Sequence, residues 1–176
     1  GTGSSSSSSS SGGASVTGTS TAIAGSTTLT NYFVEAGLPA TGISTSYDSV
    51  NGTYTLTSAG KYSSPPVSDS VQYAYTQITG DFTFTADLNS MSLPTGYNAA
   101  DVTAGLMIRN SLSASSQFYY VVLRGSKQVR AGYRKLAGGN QESQAFGTVT
   151  ALPTATAPLR LKLVRVGQTI TVSYST

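Results

Sequence analysis

The chain has 176 residues, 38% hydrophobic and 10% charged, with a formal net charge of +3 and no cysteine, histidine or tryptophan. That is one domain's worth of core, and it excludes disulfide frameworks, thiol nucleophiles, cysteine-histidine zinc sites and the usual neutral-pH general base. Basic residues are nowhere dense enough for a nucleic-acid footprint, and no apolar run approaches the roughly 20 residues of a membrane helix.

Residues 1–15, GTGSSSSSSSSGGAS, are low in complexity. Serine and glycine bury too little surface to offset ordering entropy, so the stretch reads as a flexible interdomain linker, with a β-sandwich module over 16–176. From Val16 onward, short alternating runs are separated by turn signals. NGTYTLTSAG (51–60) sets Tyr54 and Leu56 against Thr53, Thr55 and Thr57. SVQYAYTQITGDFTFTADLNSM (70–91) reads as two strands about Thr79-Gly80-Asp81, with Asp81 a turn residue. VTAGLMIRNSLSASSQFYYVVLRG (102–125) predicts strands near 103–110 and 117–124. There Ala104, Leu106 and Ile108 face one way, and Met107 and Arg109 the other. Tyr119, Val121 and Leu123 rejoin the core, while Phe118, Tyr120 and Arg124 share the opposite face. Turns at Ser126-Lys127 and Gly138-Gly139-Asn140 flank QVRAGYRKL, and one at Gly167-Gln168 divides PLRLKLVRVGQTITVSYST (158–176). Period two dominates, and Val, Ile, Thr and Tyr suit a pleated, half-buried surface. The class is all-β: an antiparallel β-sandwich.

Three pieces carry a family resemblance: SDSVQYAYTQITGDFTFTADL (68–88), AGLMIRNSL (104–112) and LRLKLVRVGQTITVSYS (159–175). In this order they resemble bacterial secreted modules of the concanavalin A-like lectin/glucanase jelly-roll fold, over about residues 40–176. GKYSS (60–64) departs from the pattern, with Lys61 and Tyr62 where members carry a Trp after the Gly. Members also continue past the Tyr-Ser segment with further strands that close the sandwich. The resemblance therefore implies a jelly roll lacking its C-terminal closing strands, whose open edge is covered by a partner, such as a second polypeptide fragment, or by an unusual local closure.

The resemblance also implies a secreted, extracellular accessory module attached to a polysaccharide-degrading enzyme. Hydrolases of this fold use a Glu-x-Asp-x-Glu strand, and lyases an Arg-x-Glu-x-Arg strand with a Gln-(Ile/Val)-His strand; none is present. The acids are Glu35, Asp48, Asp69, Asp81, Asp87, Asp101 and Glu142. No loop is dense enough in them for calcium's six or more oxygens, so no cofactor is expected.

The candidate binding residues are basic and aromatic: Arg109, Tyr120, Arg124, Arg130, Arg134, Arg160 and Lys162. Strand alternation could gather them into one cationic, tyrosine-bearing face, where rings stack on sugars and guanidinium groups pair with uronate carboxylates. Equally, they could be solvated outer faces with arginine placed against edge pairing. Tyr73, Tyr75 and Tyr119 read as core. The function expected is non-catalytic binding of a cell-wall polysaccharide, pectin-like if acidic, without nucleic-acid or membrane partners. The alternatives are a structural domain docked on an attached catalytic domain, or a jelly-roll lyase or hydrolase using a tyrosine base.

Overall fold

The computed structural model describes residues 3–10, 14–20, 30–34, 44–58, 67–69, 71–93, 95–144 and 153–176. Lys61, Tyr62 and Glu35 lie outside them. The described residues form strands only: β1 (Gly3–Ser10), β2 (Ala14–Ser20), β3 (Thr30–Val34), β4 (Ser44–Asp48), β5 (Thr53–Ser58), β6 (Val71–Ile78), β7 (Phe82–Ser92), β8 (Thr103–Arg109), β9 (Phe118–Arg124), β10 (Gln128–Arg134), β11 (Glu142–Gln144), β12 (Leu159–Val166) and β13 (Thr169–Ser175). All pairings are antiparallel, in a seven-stranded sheet β11-β10-β9-β8-β1-β6-β3 and a six-stranded sheet β13-β12-β7-β2-β5-β4.

Between the sheets lies an apolar core, with a smaller cluster of Tyr54, Leu56 and Ala74 beside it. Phe84, Ala86 and Leu88 of β7 and Leu159, Leu161 and Leu163 of β12 meet Ala104, Leu106, Ile108, Val121, Leu123 and Val129 of the seven-stranded sheet. The six-stranded sheet follows simple alternation. On β12 the leucines are buried while Arg160 and Lys162 are exposed; on β5, Tyr54 and Leu56 are buried between half-exposed threonines. The all-β, two-sheet expectation is the observed fold. The Thr79–Asp81 turn, however, is not a hairpin. It carries the chain from β6 in one sheet to β7 in the other, and Gly80 supplies the positive φ of 84° that this tight corner needs.

Two features depart from sequence expectation. First, Gly3–Ser10 is a strand, β1, lying between β8 and β6, where a flexible tether was expected. Pairing draws on backbone N–H and C=O groups, which serine supplies as well as valine does, and β6 and β8 would otherwise each present an unpaired edge.

Second, the seven-stranded sheet is buried on both faces along β8 and in the parts of β6 and β9 that carry the outer cluster. Its outer face carries a further apolar cluster of Val71, Tyr73, Met107, Phe118, Tyr120 and Val122, with Tyr75, Leu112 and Ala114 packed on it. As a result every residue from Ala104 to Arg109 is buried, and β8 reads as an unbroken apolar run instead of an alternating one.

Candidate binding surfaces

The structure divides the seven predicted residues between opposite sides of the sandwich. Register places Arg109 beside Phe118, Phe118 beside Arg134, Tyr120 beside Gly132, Val122 beside Arg130 and Arg124 beside Gln128. Arg109, Tyr120, Arg124, Arg130 and Arg134 thus share the outer face of the seven-stranded sheet, as alternation suggested. Arg160 and Lys162 belong to the outer face of the other sheet, so a single face holding all seven is corrected.

Arg109 and Arg134 do not stand on an open face either. They are 1% and 0% exposed. Asp69 sits between them: its Oδ2 accepts from Arg109 Nη1 at 2.5 Å and from Arg134 Nη1 at 3.1 Å, and its Oδ1 from Arg134 Nη2 at 2.7 Å. Phe118 lies under both guanidinium groups, with Arg134 Cζ 4.7 Å and Arg109 Cζ 5.8 Å from the ring centre. The remaining donors go to loop carbonyls. Arg109 bonds Ser111 O and Ser113 O; Arg134 bonds Ala114 O, Ser116 O and Gly139 O. The trio is a staple joining the 110–117 loop, the 138–139 turn and the segment that bears Asp69. Alternation did place these arginines away from the core, but it could not show that their own face is covered.

Tyr120 is also enclosed. Its hydroxyl accepts a hydrogen bond from Gln141 Nε2 at 2.6 Å, and its ring stacks on Phe118 with centroids 5.6 Å apart. The ring lies across β10 because Gly132 has no side chain there. A Cβ at that position would stand 2.5 Å from the Tyr120 hydroxyl and 2.7 Å from Glu142 O. Arg124 is half-buried and donates from Nε at 2.7 Å and from Nη2 to Ala100 O, fixing the loop before β8. Arg130 is half-exposed on the same face.

On the far side, Arg160 grips Asp87 of β7 through two bonds of 2.5 and 2.6 Å. The Arg160 hydrogen bond and charge hold the Asp87 carboxyl below the usual carboxylate range, and Asp87 raises Arg160 in turn. Around this pair the outer face is hydroxyl-rich. Lys162 stands between Thr85 and Ser173, and Arg160 between Asp87 and Ser175.

A cavity of about 290 Å³ opens at one pole of the sandwich, where β8 and β10 end and the β12–β13 turn closes. Ile108, Phe118, Tyr119 and Ile170 give it apolar walls, Asn110, Gln117, Gln168, Lys135 and Arg165 add amide and cationic groups, and the buried Arg109 and Arg134 also line it. The pole is held in place from several sides. Asp81 Oδ1 accepts from Gly167 N at 2.7 Å, tying the sheet-switching corner to the β12–β13 turn. Gln117 Nε2 bonds Lys135 O, and Lys135 Nζ lies 5.1 Å from the centre of the Tyr133 ring. Lys135 and Arg165 close the runs KQVRAGYRK and LRLKLVR, yet neither was among the predicted binding residues. Their signal lies in topology: antiparallel order brings the ends of β8, β10 and β12 to one pole.

Most of the described acids already have structural partners. Asp48 caps its turn through Asn51 Nδ2 and the amides of Val50 and Asn51, which hold its carboxyl below the ordinary range. Glu142 Oε2 accepts from the Tyr133 hydroxyl at 2.8 Å. Among the described residues no carboxylate lines the polar cavity, and no group of three or more acidic side chains is placed to hold a metal ion. No protein-family model, curated protein or solved structure matches the chain.

Proposed function

We propose that the chain is a non-catalytic carbohydrate-binding module with a concanavalin A-like jelly-roll architecture, part of a secreted enzyme that degrades polysaccharides. The observation that carries this reading is the polar cavity. A sugar ring has apolar C–H faces edged by hydroxyls, and Ile108, Tyr119 and Ile170 beside Asn110, Gln117 and Gln168 match both parts. Lys135 and Arg165 add charge suited to a uronate carboxylate, so an acidic, pectin-like glycan is the favoured ligand. The engagement of Asp48, Asp69, Asp81, Asp87 and Glu142 supports a binding role over a hydrolase, which needs two carboxyl groups flanking a scissile bond. Affinity-gel retardation across acidic and neutral polysaccharides tests the proposal. Polygalacturonate should retard the chain in a salt-sensitive way, and K135Q/R165Q should lose most of that retardation. No retardation on any polysaccharide would overturn it.

A second reading has its own observation. Leu136 and Val166, 71% and 62% exposed, follow Lys135 and Arg165 directly in the chain. Apolar residues beside a cavity also suit docking onto an attached catalytic domain. In that case, removing this module from the enzyme would lower the melting temperature of the remainder. Under the glycan reading it would lower activity on insoluble substrate alone.

A further inference from the structure

The polar cavity is the mouth between the two sheets at one pole. Ile108, Tyr119 and Lys135 border it from the side of the seven-stranded sheet, and Arg165, Gln168 and Ile170 from the side of the six-stranded one. Its floor is closed. Ile108, Arg109, Phe118 and Arg134 all line it, and none is more than 5% exposed.

Toward β7 the mouth is closed as well. There the Thr79–Asp81 corner carries the chain from Ile78 of β6 to Phe82 of β7, out of one sheet and into the other. β7 is the neighbour of β12, and β6 lies two places beyond β8, so the corner crosses the row of strand ends on which the cavity opens. Asp81 fastens this crossing to the cavity wall. Its Oδ1 accepts from Gly167 N at 2.7 Å, and Gly167 itself lines the cavity. Arg165 Nε in turn donates to Gly167 O at 3.1 Å. Corner, β12–β13 turn and Arg165 therefore form one hydrogen-bonded wall.

A polysaccharide held along its middle must enter and leave a site on opposite sides. The floor and the corner deny it a passage between the sheets. The volume, about 290 Å³, is at the small end of the roughly 300–1,000 Å³ of ligand sites, which leaves no room for a long run of sugars. Resting on the glycan reading of this same cavity, we propose that it takes the end of an acidic glycan chain, and that Asp81 is the positioning residue that sets this end-on mode by fixing the β12–β13 turn. Lys135 and Arg165 meet the carboxylate of the terminal uronate. Asp81 acts through its acceptor oxygen alone, since its charge opposes an anionic ligand.

The test uses the full chain, trigalacturonate and two polygalacturonate samples of different mean length. Titration calorimetry should give the same number of protein molecules per polymer chain at both lengths, and trigalacturonate should displace either polymer. D81A should bind trigalacturonate about fivefold more weakly, as the loss of one hydrogen bond implies. D81N, which keeps the acceptor, should bind as the parent does. If the protein bound per chain rises in proportion to length, or if trigalacturonate fails to displace a polymer that does bind, the end-on mode is overturned while glycan binding stands. If neither polymer nor trigalacturonate binds, the glycan reading falls and the end-on mode with it. D81A binding at parent strength, or D81N binding as weakly as D81A, would remove Asp81 from its positioning role.

Discussion

Replacing Asp69 with asparagine keeps the shape of the side chain and removes the one negative charge between two buried guanidinium groups. Arg109 and Arg134 reach the same carboxylate at 2.5 and 2.7 Å, with side chains 0% exposed. In D69N two cations would face each other with no anion, far from water. Breaking a buried ion pair from one side costs about 3–5 kcal/mol, against a total stability of about 5–15 kcal/mol for a domain. For a chain of this length each kcal/mol moves the melting temperature by roughly 2–4 °C, so a fall of roughly 6–20 °C is expected. Thermal unfolding followed by far-UV circular dichroism reads it, with urea unfolding as an independent measure. R160Q provides the contrast. It breaks an ion pair whose arginine side chain is 57% exposed, and solvent-screened surface pairs add little stability. If D69N melts within about 2 °C of the parent, no more than R160Q, the buried staple is not what holds the loops, and the account of Arg109 and Arg134 as structural residues fails.

G132A places a methyl group where the Tyr120 ring now lies, and overpacking of this kind costs about 1–3 kcal/mol; an unchanged melting temperature and near-UV spectrum would contradict the close approach. The Asp87–Arg160 pair predicts a small pH effect. The folded-state pKa of Asp87 is depressed, so its contribution is fully present above the ordinary aspartate value of about 3.9 and is lost as pH falls through the lower folded value. Urea midpoints of the parent and D87N should accordingly converge below about pH 4, and a gap that widens on acidification would reverse the sign.

How much could be read in advance depended on what each strand faces. Strands with one wet face announce themselves: Leu159, Leu161 and Leu163 against Arg160 and Lys162, or Tyr54 and Leu56 against threonines, give period two directly. β8 and β9 were legible as strands and their faces were correctly separated. The layer over Met107, Phe118, Tyr120 and Val122 was not, because no local pattern reports what distant residues cover. That is why Arg109 and Arg134 looked like ligand groups. β4, STSYD, is an almost wholly exposed edge and has no apolar alternation to detect. β1 escaped notice for a different reason. It is paired through the main chain with β6 and β8, and composition, which argued for a tether, is blind to that. The polar cavity was hidden because it joins the ends of three strands distant in sequence.

The same coverage explains how a chain this poor in charge distributes its cations. An arginine beneath a covered face must bring its acceptors with it, and the nearest plentiful acceptors are the carbonyls of the covering loops. Arg109 and Arg134 solve the problem with Asp69 and carbonyls between Ser111 and Gly139. Arg124 does so with Ala100 O. On the outer face of β7 and β12 the demand is weaker, and Arg160 meets Asp87 at the surface, where the pair adds little stability. Arg165 is half-exposed and Lys135 exposed, and both flank a cavity whose walls include Ile108 and Phe118. Burial thus separates the cations that brace the fold, Arg109 and Arg134, from Arg160, whose side chain stands in solvent.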